Sequence, residues 1–212
     1  MTHAYNELYL SDAQDNLAAM LDYAVYSLKY ELSFFYRMFL QSGISKKFAE
    51  GDASVIAGKS GVELARAVVE ENTGEECLVE YESSFKKSPE YWTGWALAYY
   101  QWHSGVDFTV IDSEVSIADV CLLYNKYHEM DISHFVARMN EMRMEQRCMT
   151  YLKRIRQNAG LSQRELANLT DIPVKTIQQY EQRQKNINKA QAEYVIRLSK
   201  ALACRPEDLL EK

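Results

Sequence analysis

The sequence predicts an all-α protein in two parts, an acidic, aromatic-rich helical domain over residues 1–146 and a basic helical domain over residues 147–212. Three observations predict it. Apolar residues recur at the three- and four-residue spacing of a helix along most of the chain. Serines followed three residues later by Glu or Gln open several of these runs as capping boxes, and a single segment, ECLVEYESSF, reads as a strand. Charge marks the division: residues 1–146 carry 11 Lys and Arg against 23 Asp and Glu, whereas residues 147–212 carry 13 against 7.

The first helix opens at Ser11, capped with Gln14, and Leu17, Met20, Leu21, Ala24, Val25 and Leu28 trace its apolar stripe. A second runs from near Leu32 to Leu40, rich in Phe34, Phe35, Met38 and Phe39, and ends before Gly43. Ser60 with Glu63 caps a third, GVELARAVVEE. A fourth starts near Pro89 and runs through YWTGWALAYYQW to Ser104. Its aromatic residues occupy nearly every side, which means either deep burial or a face kept for a partner. Two more helices are marked by IADVCLLYNKY and ISHFVARMNEM. From Asp131 to Ala159 there is no Gly or Pro, and Ile132, Phe135, Met139, Met142, Met149, Leu152 and Ile155 recur at helical spacing, interrupted at Gln146. The two domains are therefore expected to be joined by helix or a very short break.

Composition narrows the function classes. At 212 residues and 47% hydrophobic content the chain can bury a proper core. No run approaches the roughly 18 apolar residues of a membrane span, and the amino terminus lacks a signal-peptide pattern, so a cytoplasmic protein is expected. Cys77, Cys121, Cys148 and Cys204 are scattered without a CxxC, unlike a zinc site or a secreted disulfide framework. GKS at 58–60 ends like a phosphate-binding loop, but six residues rather than four separate Gly51 from Gly58. His128 and His134 are six apart where HExxH needs four, and His103 has no supporting nucleophile and carboxylate at suggestive spacing. No cofactor, metal or catalytic activity is expected.

The segment LSQRELANLTDIPVKTIQQY (161–180) describes two short helices joined by a tight turn. Ser162 and Glu165 form a capping box, so one helix starts at about Gln163; Leu166, Ala167 and Thr170 follow at helical spacing. Asp171 breaks the run, Ile172 turns inward, and Pro173 supplies a backbone angle that suits a new helix start. In that second helix Ile177 and Tyr180 share one face, leaving Val174, Lys175, Thr176, Gln178 and Gln179 on others. Lys can donate to guanine, Gln can bond adenine twice, and Val or the Thr methyl can meet a thymine methyl. A solvated polar face on an ordinary helical domain is the plainer alternative.

Gly160, Leu161, Gln163, Glu165, Leu166, Ala167, Thr176, Ile177 and Glu181 resemble the helix-turn-helix domain of the Cro and phage-repressor family. The resemblance spans 151–210 and implies a five-helix DNA-binding module, lambda-repressor-like, whose third helix is the recognition helix. It implies a phosphate contact for Gln163, a major-groove surface made of Val174, Lys175, Thr176, Gln178 and Gln179, and backbone contacts from Arg183, Lys185 and Asn186. It also implies a structural ion pair between Arg156 and Glu181. The chain departs from the family at Asp171 and Arg183, where glycine is usual. Around SPEYWTGWALAYYQW the amino-terminal part is similar to uncharacterised bacterial regulators encoded beside toxin-like genes.

The expected function is sequence-specific, XRE-like transcription regulation by a repressor that binds double-stranded DNA as a homodimer. The alternative is an antitoxin whose amino-terminal domain captures a toxin while the carboxy-terminal domain represses its own operon.

Overall fold

The computed structural model describes residues 3–81 and 87–211, and every regular element among them is helical. The chain divides into two compact units, residues 1–144 and 145–212. The first holds α1 (Leu10–Tyr26), α2 (Leu32–Gln41), α3 (Gly43–Ala49), α4 (Ala53–Ile56) and α5 (Gly61–Thr73). These are followed by α6 (Pro89–Ser104), α7 (Phe108–Glu114), α8 (Ile117–Leu122), α9 (Tyr124–Tyr127) and α10 (Ile132–Arg147), which ends three residues into the second unit.

Helix α1 is the centre of the first unit. Leu17, Met20, Leu21, Tyr23 and Ala24 are fully buried, and α5 and α6 lie directly against it. Two glycines permit that approach. A Cβ on Gly94 of α6 would stand 2.5 Å from the Leu17 carbonyl oxygen, and one on Gly61 of α5 would stand 2.4 Å from that of Asn16. Around this axis the core is aromatic: Phe39, Phe48 and Phe108 meet edge to face at centroid distances of 5.4 to 6.4 Å, tying α2, α3 and α7 together. Trp92 meets Phe135 at 5.3 Å and binds α6 to α10. Each such pair adds about 0.5 to 1.5 kcal/mol beyond area burial. In α6 Trp92, Tyr100 and Trp102 are buried, so most of the aromatic helix serves the core.

Several expectations need correction. Ser11 is not a cap: a 3-10 turn, Glu7–Tyr9, capped by Asn6, feeds straight into α1, and Gln14 is buried, donating to the Trp95 carbonyl. ECLVEYESSF is not a strand over residues 76–81, and its residues 82–85 lie outside the described ones. No neighbouring strand offers a ladder among the described residues; instead Tyr23 Oη and Arg66 Nη2 donate to the Val79 carbonyl. Phe34, placed in an apolar run, is 49% exposed under the Arg37 guanidinium. The short helices α3, α4 and α7 are too brief for periodicity to announce. Ser60 and Glu63 do form the capping box of α5, which removes Ser60 from any phosphate loop.

The second unit holds α11 (Tyr151–Asn158), α12 (Gln163–Thr170), α13 (Val174–Glu181) and α14 (Ala192–Ala201), with 3-10 turns at Ile187–Lys189 and Pro206–Leu209. Cys148–Thr150 separates α10 from α11 because the Thr150 hydroxyl caps a new helix, accepting from Lys153 N–H. The last segment of the expected five-helix module is thus a four-residue 3-10 helix, not an α-helix. The core here is mainly aliphatic: Leu152, Leu166, Ile172, Ile177, Ile187, Val195, Leu198, Leu202 and Leu209, with Tyr180 at its margin.

Candidate nucleic-acid interface

The helix pair is built by local chemistry. Ser162 Oγ accepts from Glu165 N–H at 3.1 Å, and Glu165 Oε2 accepts from Ser162 N–H at 2.7 Å. The backbone donor holds the Glu165 carboxyl below the usual range, so the box is charged at neutral pH. Helix α12 ends at Asp171, whose φ of 53° is left-handed, where the related family uses glycine. Asp tolerates that geometry better than most side chains. Its exposed carboxylate lies 3.6 Å from the Arg197 guanidinium. Pro173 then serves as the N-cap of α13, extended at φ −55° and ψ 132°, one position before its first helical residue.

Helix α13 buries Ile177, Tyr180 and Glu181. Lys175 is exposed, and Val174, Thr176, Gln178 and Gln179 are half-buried. Val174, expected on the groove face, packs against the core of this unit, so the face away from the core is polar. Lys175 and Gln179 make no side-chain hydrogen bond among the described residues, and both can turn to an incoming ligand.

Beneath this face lies a buried ion pair. Arg156 Nε and Nη2 donate to the two Glu181 carboxylate oxygens at 2.6 and 2.9 Å, and Nη1 donates to the Leu161 carbonyl at 2.6 Å. The bond to Glu181 raises the Arg156 pKa further above its ordinary value, so the guanidinium stays charged. The pair reaches the surface through two glutamines: Gln163 Nε2 donates to Glu181 Oε2 at 2.8 Å, and Gln178 Nε2 donates to Gln163 Oε1 at 3.3 Å. Gln163 and Gln178, expected on phosphate and base, are thus first of all bonded to each other and to the core.

The loop after α13 carries Arg183, Lys185 and Asn186, all exposed. Arg183 takes a left-handed φ of 56° and does not point freely outward: Nη1 donates to the Cys148 carbonyl and Nη2 to Glu211 Oε2, each at 3.1 Å. Asn186 caps the Ile187–Lys189 turn, its Oδ1 accepting from Asn188 N–H at 2.8 Å and leaving its amide hydrogens to other partners. The Lys185 backbone N–H donates to the Gln179 carbonyl at 3.0 Å, and the residue is exposed. Two members of this region, Asn188 and Glu211, carried no signal in the sequence, because Glu211 meets Tyr151 across a separation of 60 residues.

Residues 152–209 match the model of a helix-turn-helix family. No curated protein and no solved structure matches the chain. The matched residues form a helix-turn-helix domain of the Cro and phage-repressor type, with α12 and α13 as its two characteristic helices. Among the described residues no helix is long and apolar enough to cross a membrane, and no group of three or more His, Cys, Asp or Glu is placed to hold a metal ion.

Proposed function

We propose that the protein is a sequence-specific transcription regulator that represses its target as a homodimer on two half-sites about one helical turn apart. The observation that carries this reading is α13 itself. Within the matched segment it sinks Ile177 and Tyr180 into the core and turns Lys175, Thr176 and Gln179 away from it. Lys175 then pairs with guanine, Gln179 with adenine, and the Thr176 methyl with a thymine methyl. Gln178 joins them through its free carbonyl oxygen. Gln163, Lys185 and Asn186 contact phosphates and fix the register. The excess of 13 Lys and Arg over 7 Asp and Glu in residues 147–212 supports the electrostatics, since phosphate attraction acts over a Debye length of about 8 to 10 Å and depends on local charge.

Gel shifts on the duplex upstream of the protein's own gene test this. Lys175→Ala or Gln179→Ala should remove about 1 to 3 kcal/mol of discrimination between matched and mismatched bases. Unchanged base preference in both variants would remove α13 from the role of reader.

A second reading is favoured by the first unit. There Leu78 is 73% exposed and Val79 and Tyr81 are partly so, set among Glu75, Glu76 and Glu80. An acidic, apolar surface of this kind suits a basic protein partner, as in an antitoxin that also represses its operon. Purification from the native locus separates the two: an antitoxin brings down its neighbour's product in stoichiometric amount, and a simple regulator emerges alone.

A further inference from the structure

Glu211 is bonded on both sides. Its carboxylate accepts from Tyr151 backbone N–H through Oε1 at 2.8 Å and from Arg183 Nη2 through Oε2 at 3.1 Å. Its backbone closes a two-way pair with the Asn188 carboxamide: the N–H donates to Oδ1 at 2.8 Å and the carbonyl accepts from Nδ2 at 2.6 Å. The other arm of the Arg183 fork is taken by the Cys148 carbonyl. A guanidinium recognises phosphate with that same planar fork, and the two Nη atoms that would meet a phosphate end-on are each already bonded, with the carboxylate offsetting the charge.

We propose that Glu211 is a further affinity-setting residue of the DNA interface: its carboxylate takes the place on Arg183 that a phosphate oxygen would take, and withholds this cation from the duplex while the clasp is closed. The proposal rests on the DNA-binding reading above. Two features make the exchange workable. The Arg183 and Glu211 side chains are 52% and 25% exposed, so a phosphate can reach Arg183 once the carboxylate is loosened or neutralised. The Asn188 pair meanwhile keeps Glu211 in place, so it competes at high local concentration. Two of the anchors, Cys148 O and Tyr151 N, lie where the chain enters α11, so a shift of that joint would trade Arg183 between carboxylate and phosphate.

The test is the salt dependence of full-length protein on a mixed-sequence duplex, where each phosphate contact contributes a slope of about −0.9 in log K against log salt. Arg183→Ala should leave the wild-type slope unchanged. Glu211→Gln should tighten binding and steepen the slope by about 0.9, and Arg183→Ala in that background should remove the added slope. Asn188→Ala, which loosens Glu211 without touching either charge, should also steepen the slope, and a flat response there overturns the clasp. So does a slope that flattens on Arg183→Ala alone, which would put Arg183 already on phosphate. A Glu211→Gln gain that survives the loss of Arg183 overturns it too, because it reports only a lost negative charge. Wild-type protein that binds no duplex in dilute buffer sinks the DNA-binding reading itself, an outcome distinct from all of these.

Discussion

Among the described residues each unit buries an Arg–Glu pair, and the two pairs are finished to different degrees. In the amino-terminal unit Arg143 Nε donates to Glu114 at 2.5 Å and Nη1 to the Tyr100 hydroxyl at 2.9 Å, while Nη2 is buried without a hydrogen-bond partner among the described residues. In the carboxy-terminal unit Arg156 uses all three nitrogens, on both oxygens of Glu181 and on the Leu161 carbonyl. The second network is complete and continues through Gln163 to Gln178 at the candidate DNA face. The comparison teaches that the small aliphatic unit holds its geometry by a fully bonded polar centre, where the larger one leans on aromatic packing and tolerates an unmatched donor.

The sharpest way to break that comparison is to remove one acid from each pair. Glu181→Ala strands a guanidinium whose partner is 1% exposed and should cost about 3 to 5 kcal/mol. Glu114→Ala should cost less, since the Glu114 side chain is 15% exposed and Arg143 keeps Tyr100. Segment-resolved hydrogen exchange checks this, with protection lost in α11 to α14 for the first variant; a Glu114 variant that costs as much or more would void the ranking. Next in size is Gly94→Ala. Its methyl group would lie 2.5 Å from the Leu17 carbonyl oxygen, and forcing α6 off α1 should cost about 1 to 3 kcal/mol. Trp92, Trp95 and Trp102 all sit on α6, so tryptophan fluorescence against denaturant reads that loss directly, and an unmoved midpoint refutes the close approach. Smallest is Asp171→Gly, which relieves a left-handed residue at the expense of an exposed 3.6 Å ion pair with Arg197. A gain of up to about 1 kcal/mol is expected in thermal unfolding, and a net loss would mean that the aspartate itself holds the turn.

Much of the carboxy-terminal site was legible in the amino-acid pattern. Ser162 and Glu165 announced the start of α12, Ile177 and Tyr180 announced the inward face of α13, and the related family implied Arg156 with Glu181, all of which the fold contains. The amino-terminal unit was harder to read. Ser11 looked like a cap three residues before Gln14, yet Gln14 is spent on the Trp95 carbonyl, 81 residues away. Residues 76–81 have strand-like composition, but a strand exists only if another chain segment offers its backbone, and here side chains of Tyr23 and Arg66 take up the Val79 carbonyl instead.

The sequence by itself determined the longer helices, the capping boxes of α5 and α12, the two-part charge distribution and the inward face of α13, because these depend on composition and on neighbours three or four residues apart. Tertiary structure alone decided which polar side chains of the interface remain open. Gln178 meets Gln163 across 15 residues, Gln163 meets Glu181 across 18, and Arg183 meets Glu211 across 28. A donor's availability is set by whatever acceptor folding brings within about 3 Å of it, and no local period in the chain encodes that distance.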